Sequence, residues 1–134
     1  LSSARIIVFQ ALRTSNELAA IVEDRIGAAS RFDKQSKRPL VAIRAHTDFP
    51  ALGRVGRREY IQVWAHDDPG DYETIDNILV ICRDAIEAVQ SSVALGPFLE
   101  ARWIETGVDL RDDVMESITR YSRFQVTFTR REAL

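Results

Sequence analysis

The sequence predicts an α+β domain in which an antiparallel four-stranded sheet carries its helices on one face. Three observations carry that expectation. Tyr72, Ile75, Ile78, Leu79, Cys82, Ile86 and Val89 recur at three- and four-residue spacing, the stripe of a helix with one buried side. Two other stretches alternate instead: Ile61, Val63 and Ala65 against Tyr60, Gln62 and Trp64, and Phe124, Val126 and Phe128 against Gln125, Thr127 and Thr129. The order along the chain is helix, helix, strand, strand, helix, strand, strand, in keeping with a mixed antiparallel layer rather than a parallel α/β sheet.

The first helix is expected over residues 2–13, opened by the hydroxyls of Ser2 and Ser3, with Ile6, Phe9 and Arg13 on one face and Val8 and Leu12 on a neighbouring one. Thr14-Ser15-Asn16-Glu17 reads as a second cap. Leu18, Val22 and Ile26 then predict a short helix over 17–26, ending near Gly27. Residues 27–38 are polar and weakly patterned, an expected exposed loop. Pro39 stands at the head of a strand over 40–45, and a connection containing Pro50, Gly53 and Gly56 leads to a second strand over 58–66. These two are expected to pair antiparallel across a long tip loop. Asp67-Asp68-Pro69-Gly70-Asp71 ends the strand, and Asp68 or Asp71 is placed to accept from the free N–H groups that open the helix at 71–91. Ser91 to Pro97 closes that helix. Strands over 101–106 and 120–130 follow, separated by a polar segment from Gly107 to Thr119.

With 134 residues, 46% hydrophobic and 28% charged, the chain has the size and balance of one globular domain over residues 1–134. A formal net charge of −2 offers no global attraction to nucleic acid or to an anionic membrane. No apolar run approaches the ~20 residues that span a bilayer, and no signal-like leader is evident. The single cysteine, Cys82, excludes an internal disulfide, so the expected setting is a reducing cytoplasm.

The residues that bear chemistry form no enzyme signature. His46 and His66 are the only histidines, with Asp48, Asp67 and Asp68 near them, so a metal-dependent hydrolase is a conceivable rival; close ligand motifs are missing. Cys82 falls on the apolar stripe, where it reads as an inert core thiol. No phosphate-cradling glycine motif occurs; Gly53-Arg54-Val55-Gly56-Arg57-Arg58 reads as a solvated basic loop suited to phosphate or an acidic protein surface. Asp109, Asp112, Asp113 and Glu116 read as a solvated turn rather than an acid–base pair. No catalytic residue, cofactor site or metal site is assigned. What does stand out is a tyrosine and a tryptophan, Tyr60 and Trp64, on the strand face that the helices should leave bare, a composition closer to a protein interface than to ordinary surface.

The run Val63-Trp64-Ala65-His66-Asp67-Asp68-Pro69-Gly70-Asp71-Tyr72 with Ile75-Asp76 resembles the tail-terminator (tail-completion) proteins of long-tailed bacteriophages. Trp103 followed by Asp109-Leu110-Arg111-Asp112, then Arg120-Tyr121-Ser122-Arg123-Phe124-Gln125-Val126, agrees in order. So do Leu18-Ala19-Ala20-Ile21-Val22 with Ile26 and Pro39-Leu40-Val41-Ala42-Ile43. The resemblance implies a structural virion protein, not an enzyme: a subunit of a homo-hexameric ring that caps the tail tube, stops tail polymerisation and offers the head-side connector, or neck protein, a joining surface. DNA would pass through the ring without specific binding, no membrane would be involved, and the ring, assembled in the host cytoplasm, would reside at the virion's tail–neck region. A neck or head-completion protein is the nearest alternative. The interface residues expected from the sequence are Tyr60, Trp64, Phe49, Arg54, Arg57 and Arg58, with loops 27–38 and 46–57 as recognition loops.

Overall fold

In a computed structural model of the chain, residues 3–46, 56–89 and 98–129 are described. Helix α1 (Ser3–Arg13) and helix α2 (Asn16–Val22) lead into a short strand, β1 (Ile26–Ala28), and a single 3-10 turn (Ala29–Arg31). Strands β2 (Leu40–His46) and β3 (Gly56–Asp67) precede helix α3 (Glu73–Glu87), and β4 (Phe98–Thr106), β5 (Leu110–Asp112) and β6 (Ser117–Thr129) complete the chain.

The local chemistry accounts for the element ends. Ser15 caps α2 by accepting from the Leu18 N–H at 3.2 Å. Asp71 accepts from the Glu73 N–H at 3.0 Å as α3 opens, whereas Asp68, the other cap expected from the sequence, is held by Arg38. The stripe of α3 is buried as its spacing requires: Ile75, Ile78, Leu79, Cys82 and Ile86 all face the core. In α1 the buried side is Ala4, Val8 and Leu12 with Ile7, which leaves Ile6 exposed and Phe9 half-covered.

The described strands form one six-stranded sheet in the order β1-β2-β3-β6-β4, with β5 beside β6. Pairing is antiparallel except for β1 with β2, which run parallel. Ile61, Val63, Ala65, Phe124, Val126 and Phe128 turn to one face and join the apolar residues of α1, α2 and α3 in a single cluster. The helices therefore cover one face of the sheet, as expected, but six strands replace the expected four.

Both missed strands are three residues long. The four-residue spacing of Val22 and Ile26 suggested a helix through 26, yet α2 stops at Val22, where Glu23 follows with φ 56° in the left-handed region. Ile26 then pairs with Val41 as a strand residue, its side chain still in the core. The expected loop at 27–38 thus begins as strand and 3-10 turn. In the same way β5 interrupts the polar segment 107–119, and its own residues are largely exposed, so no apolar alternation marks it. Strand β6 starts three residues earlier than expected, and α3 ends at Glu87 rather than near 91. The expected closure at Ser91–Pro97 lies outside the described residues.

Candidate protein interface

The bare face of the sheet is built from alternate residues of its central strands. Register places Tyr60 opposite Gln125, Gln62 opposite Arg123, Trp64 opposite Tyr121, and Arg44 of β2 opposite Gln62. Period-two alternation puts these side chains on the face away from the helices. Trp64 and Tyr121 stack with ring centroids 4.8 Å apart, and the Arg44 guanidinium lies 6.0 Å from the Trp64 ring. Arg123 lies 5.4 Å from the Tyr60 ring and 3.5 Å from the Glu105 carboxylate. Trp64 Nε1–H donates to Gln62 Oε1 at 3.1 Å. The result is a surface of half-buried aromatic rings and amides with guanidiniums beside them, whose polar groups hold one another in place. Tyr, Trp and Arg are the side chains that most often carry binding energy, because each offers large contact area with few rotatable bonds or a rigid donor fork.

One end of this face is closed. Arg38 donates to the carbonyls of Lys34, Met115 and Glu116 and pairs with Asp68, tying the residues after the 3-10 turn to the β5–β6 turn. His66 sits at this end with 3% of its surface exposed, its Nδ1 2.9 Å from Ser117 Oγ. Burial pushes its pKa down to about 4, with Arg44 and Arg38 adding to the depression and Asp112 opposing it.

Of the interface residues expected from the sequence, the structure brings Tyr60 and Trp64 together on the bare face. Arg58 occupies a register position on that face opposite Thr127, half-buried, while Arg57 pairs with Phe128 at a position of opposite parity. Phe49 and Arg54 lie outside the described residues, as does most of the 46–57 loop. Arg44, expected on this face with Gln62 from the sequence, is found there, whereas sequence reasoning missed Tyr121, Arg123 and Glu105. For Tyr121 and Arg123 the signal was present: the alternation read at Gln125, Thr127 and Thr129 continues backwards through both.

The arrangement does not favour the hydrolase rival. His46 stands opposite Tyr60 and His66 opposite Leu40, so the two histidines are at opposite ends of the β2–β3 pair. Six strand residues separate their levels, roughly 20 Å. Among the described residues no group of three or more His, Cys, Asp or Glu side chains is arranged to hold a metal ion. Cys82 is fully buried and its thiol is pushed up to about 12 by burial alone, the state of a core residue rather than a nucleophile. The acidic turn is not free solvent-facing charge throughout: Asp109 pairs with Arg120, and Asp112 accepts from the Met115 N–H at 3.0 Å.

The motif runs singled out in the sequence meet in space. Tyr72 O–H donates to the Leu110 carbonyl at 2.7 Å, and Arg120 bridges Asp76 of α3 and Asp109. The Trp103 backbone N–H donates to Glu87 at 3.0 Å, a bond that holds this carboxyl below its ordinary range with help from Arg83, while partial burial opposes the shift. The Arg83 guanidinium lies 4.1 Å from the Trp103 ring centroid. These residues lock α3 to β4, β5 and β6, which is a structural role.

No family model matches the sequence, and no curated protein matches it. Among solved structures, a chain of the virion of a native gene transfer agent (GTA) particle matches with a TM-score of 0.68 at 17% identity. The match covers 95% of this chain and 93% of that one, so the two share a fold from end to end.

Proposed function

We propose that this protein is a structural subunit of a phage-like virion. The observation that carries the reading is the end-to-end likeness of fold to a virion chain, with neither chain contributing a large unmatched part. The bare aromatic face supports it, since a subunit that works by contact needs a rigid surface of this composition. We further propose the finer role that the sequence resemblance implies. The subunit assembles into a hexameric ring that caps the tail tube, halts addition of tube subunits by occupying their docking surface, and presents a new surface to the head-side connector. Tyr60, Trp64 and Arg58, with Arg44, Tyr121 and Arg123 beside them, form the surface by which the subunit meets other virion proteins. The ring acts by binding, at the tail–neck junction, and encloses the DNA path without reading its sequence.

Deletion of the gene from its phage tests the role. Overlong or headless tails are the expected outcome. Tails of normal length on heads that leak DNA would instead assign the protein to the neck, and particles indistinguishable from the parent would end both readings.

A further inference from the structure

Two surfaces at opposite edges of the sheet are complementary. At one edge, α1 and β1 enclose an open groove of about 670 Å³. Its floor is apolar, formed by Ile6, Phe9, Ile26 and Ile43, and its rim carries Arg5, Arg13 and Arg31 with no carboxylate among the described lining residues. Glu23 and Asp24 line an adjoining hollow that shares Phe9, Arg13, Ile26 and Arg31 with the groove, and Glu23 is paired with Arg25. Arg31 donates to the Ile26 carbonyl at 2.8 Å, so this edge of β1 is partly capped. The groove is therefore suited to receive side chains rather than an added strand.

At the other edge, β6 carries β5 on the side not taken by β3. With four inter-strand steps between them, the two edges lie roughly 19 Å apart at ~4.8 Å per step. The segment 108–116 there joins Asp109, Asp112, Asp113 and Glu116 to a single basic residue, Arg111. It also holds three of the five exposed large hydrophobic residues among those described: Val108 at 73%, Leu110 at 38% and Val114 at 84%. A fourth, Ile6 at 41%, is in the groove. Val108, Leu110 and Val114, exposed in an acidic segment whose Asp109 is already paired with Arg120, and Ile6, exposed with half-covered Phe9 beneath an arginine rim, match in both hydrophobicity and sign of charge.

We infer that the groove of one copy receives the 108–116 segment of the next, a head-to-tail contact in which Ile6 and Phe9 meet Val114 and Leu110 while Arg13 faces Asp113. A copy's own segment is held away from its groove, since Tyr72 bonds Leu110 and Arg38 bonds Met115 and Glu116. The contact therefore joins unlike patches of successive copies, and such contacts propagate until rotation closes them into a ring. This deepens the ring reading and rests on it for closure; the edge-to-edge contact itself is tested separately.

Two exposed substitutions provide the test. Ile6→Glu places a negative charge in the groove, and Val114→Glu a negative charge on the residue that meets its floor, so the two altered patches repel one another; circular dichroism checks that both remain folded. Native mass spectrometry then reads assembly for the parent, each variant and their mixture. The contact predicts an oligomeric parent, monomeric single variants, and a mixture that forms a one-to-one dimer and nothing larger, because only one intact groove and one intact segment remain to meet. Variants that assemble like the parent would overturn the contact and leave the ring standing. Variants that form parent-like rings but no longer bind tail tubes would give the groove to the tube subunit and overturn it also. Monomeric variants that fail to pair when mixed would do the same. A parent that stays monomeric at every concentration and on tail tubes would end both the contact and the ring.

Discussion

An added Cβ at Gly107 would lie 2.4 Å from the Tyr121 ring, closer than any real contact, so the chain passes there only because the residue has no side chain. Tyr121 is in turn the ring on which Trp64 stacks. Gly107→Ala is expected to push Tyr121 off its seat at a cost of about 1–3 kcal/mol, seen as a lower denaturant midpoint and an altered near-ultraviolet dichroism of the aromatic face. His66 makes a pH prediction of definite sign. Its folded-state pKa, about 4, is below the ordinary value of 6.5, so the unfolded chain binds more protons between those limits. Its contribution is fully present above about pH 6.5 and is lost as pH falls towards 4, up to about 3 kcal/mol. Urea denaturation across that window should show the slope in the parent, and His66→Gln should flatten it; an unchanged slope would show that other groups cause it. At this scale the sequence was partly legible. The facing of Tyr60 and Trp64 follows from alternation alone, but the burial of His66 depends on Arg38 and Ser117, which no local pattern connects to it.

Helix α3 and the strand pair β3–β6 were legible because each buries one complete face, and burial imposes periodicity. Ile78→Asp puts an unpaired charge into that buried face at a cost of about 4 kcal/mol or more, a large part of the ~5–15 kcal/mol that holds a domain of this kind folded. The expected result is loss of the cooperative thermal transition. Trp64→Ala is different in kind, because its side chain stands on the face away from the helices. The variant is expected to keep its cooperative transition while losing capping of tail tubes in a co-sedimentation assay. Unfolding of Trp64→Ala would make Trp64 a core residue and remove it from the interface. Strands β1 and β5 were not legible for opposite reasons. Ile26 lies four residues after Val22, a spacing that serves a helix as well as a buried strand, and only the reversal at Glu23 decides between them. The residues of β5 are mostly exposed, so its place is set by pairing with Ser117–Thr119 and by Tyr72 and Arg120, all distant in sequence or across a turn.

The described residues form a sheet with a face sealed by helices, a bare face of aromatics and guanidiniums, an edge with a basic groove and an edge with an acidic segment. Among the described residues, Arg38, Arg120 and Glu87 brace elements against one another. Near-neutral charge overall, divided into local patches, suits contact with other proteins more than capture of DNA. In the proposed role such subunits close into a ring on the end of a tail tube. Electron microscopy of the purified protein mixed with tail tubes tests that role. Six-fold rings seated on one end of each tube, with no further tube growth from that end, are the predicted result; bare tube ends beside a monomeric protein would contradict it.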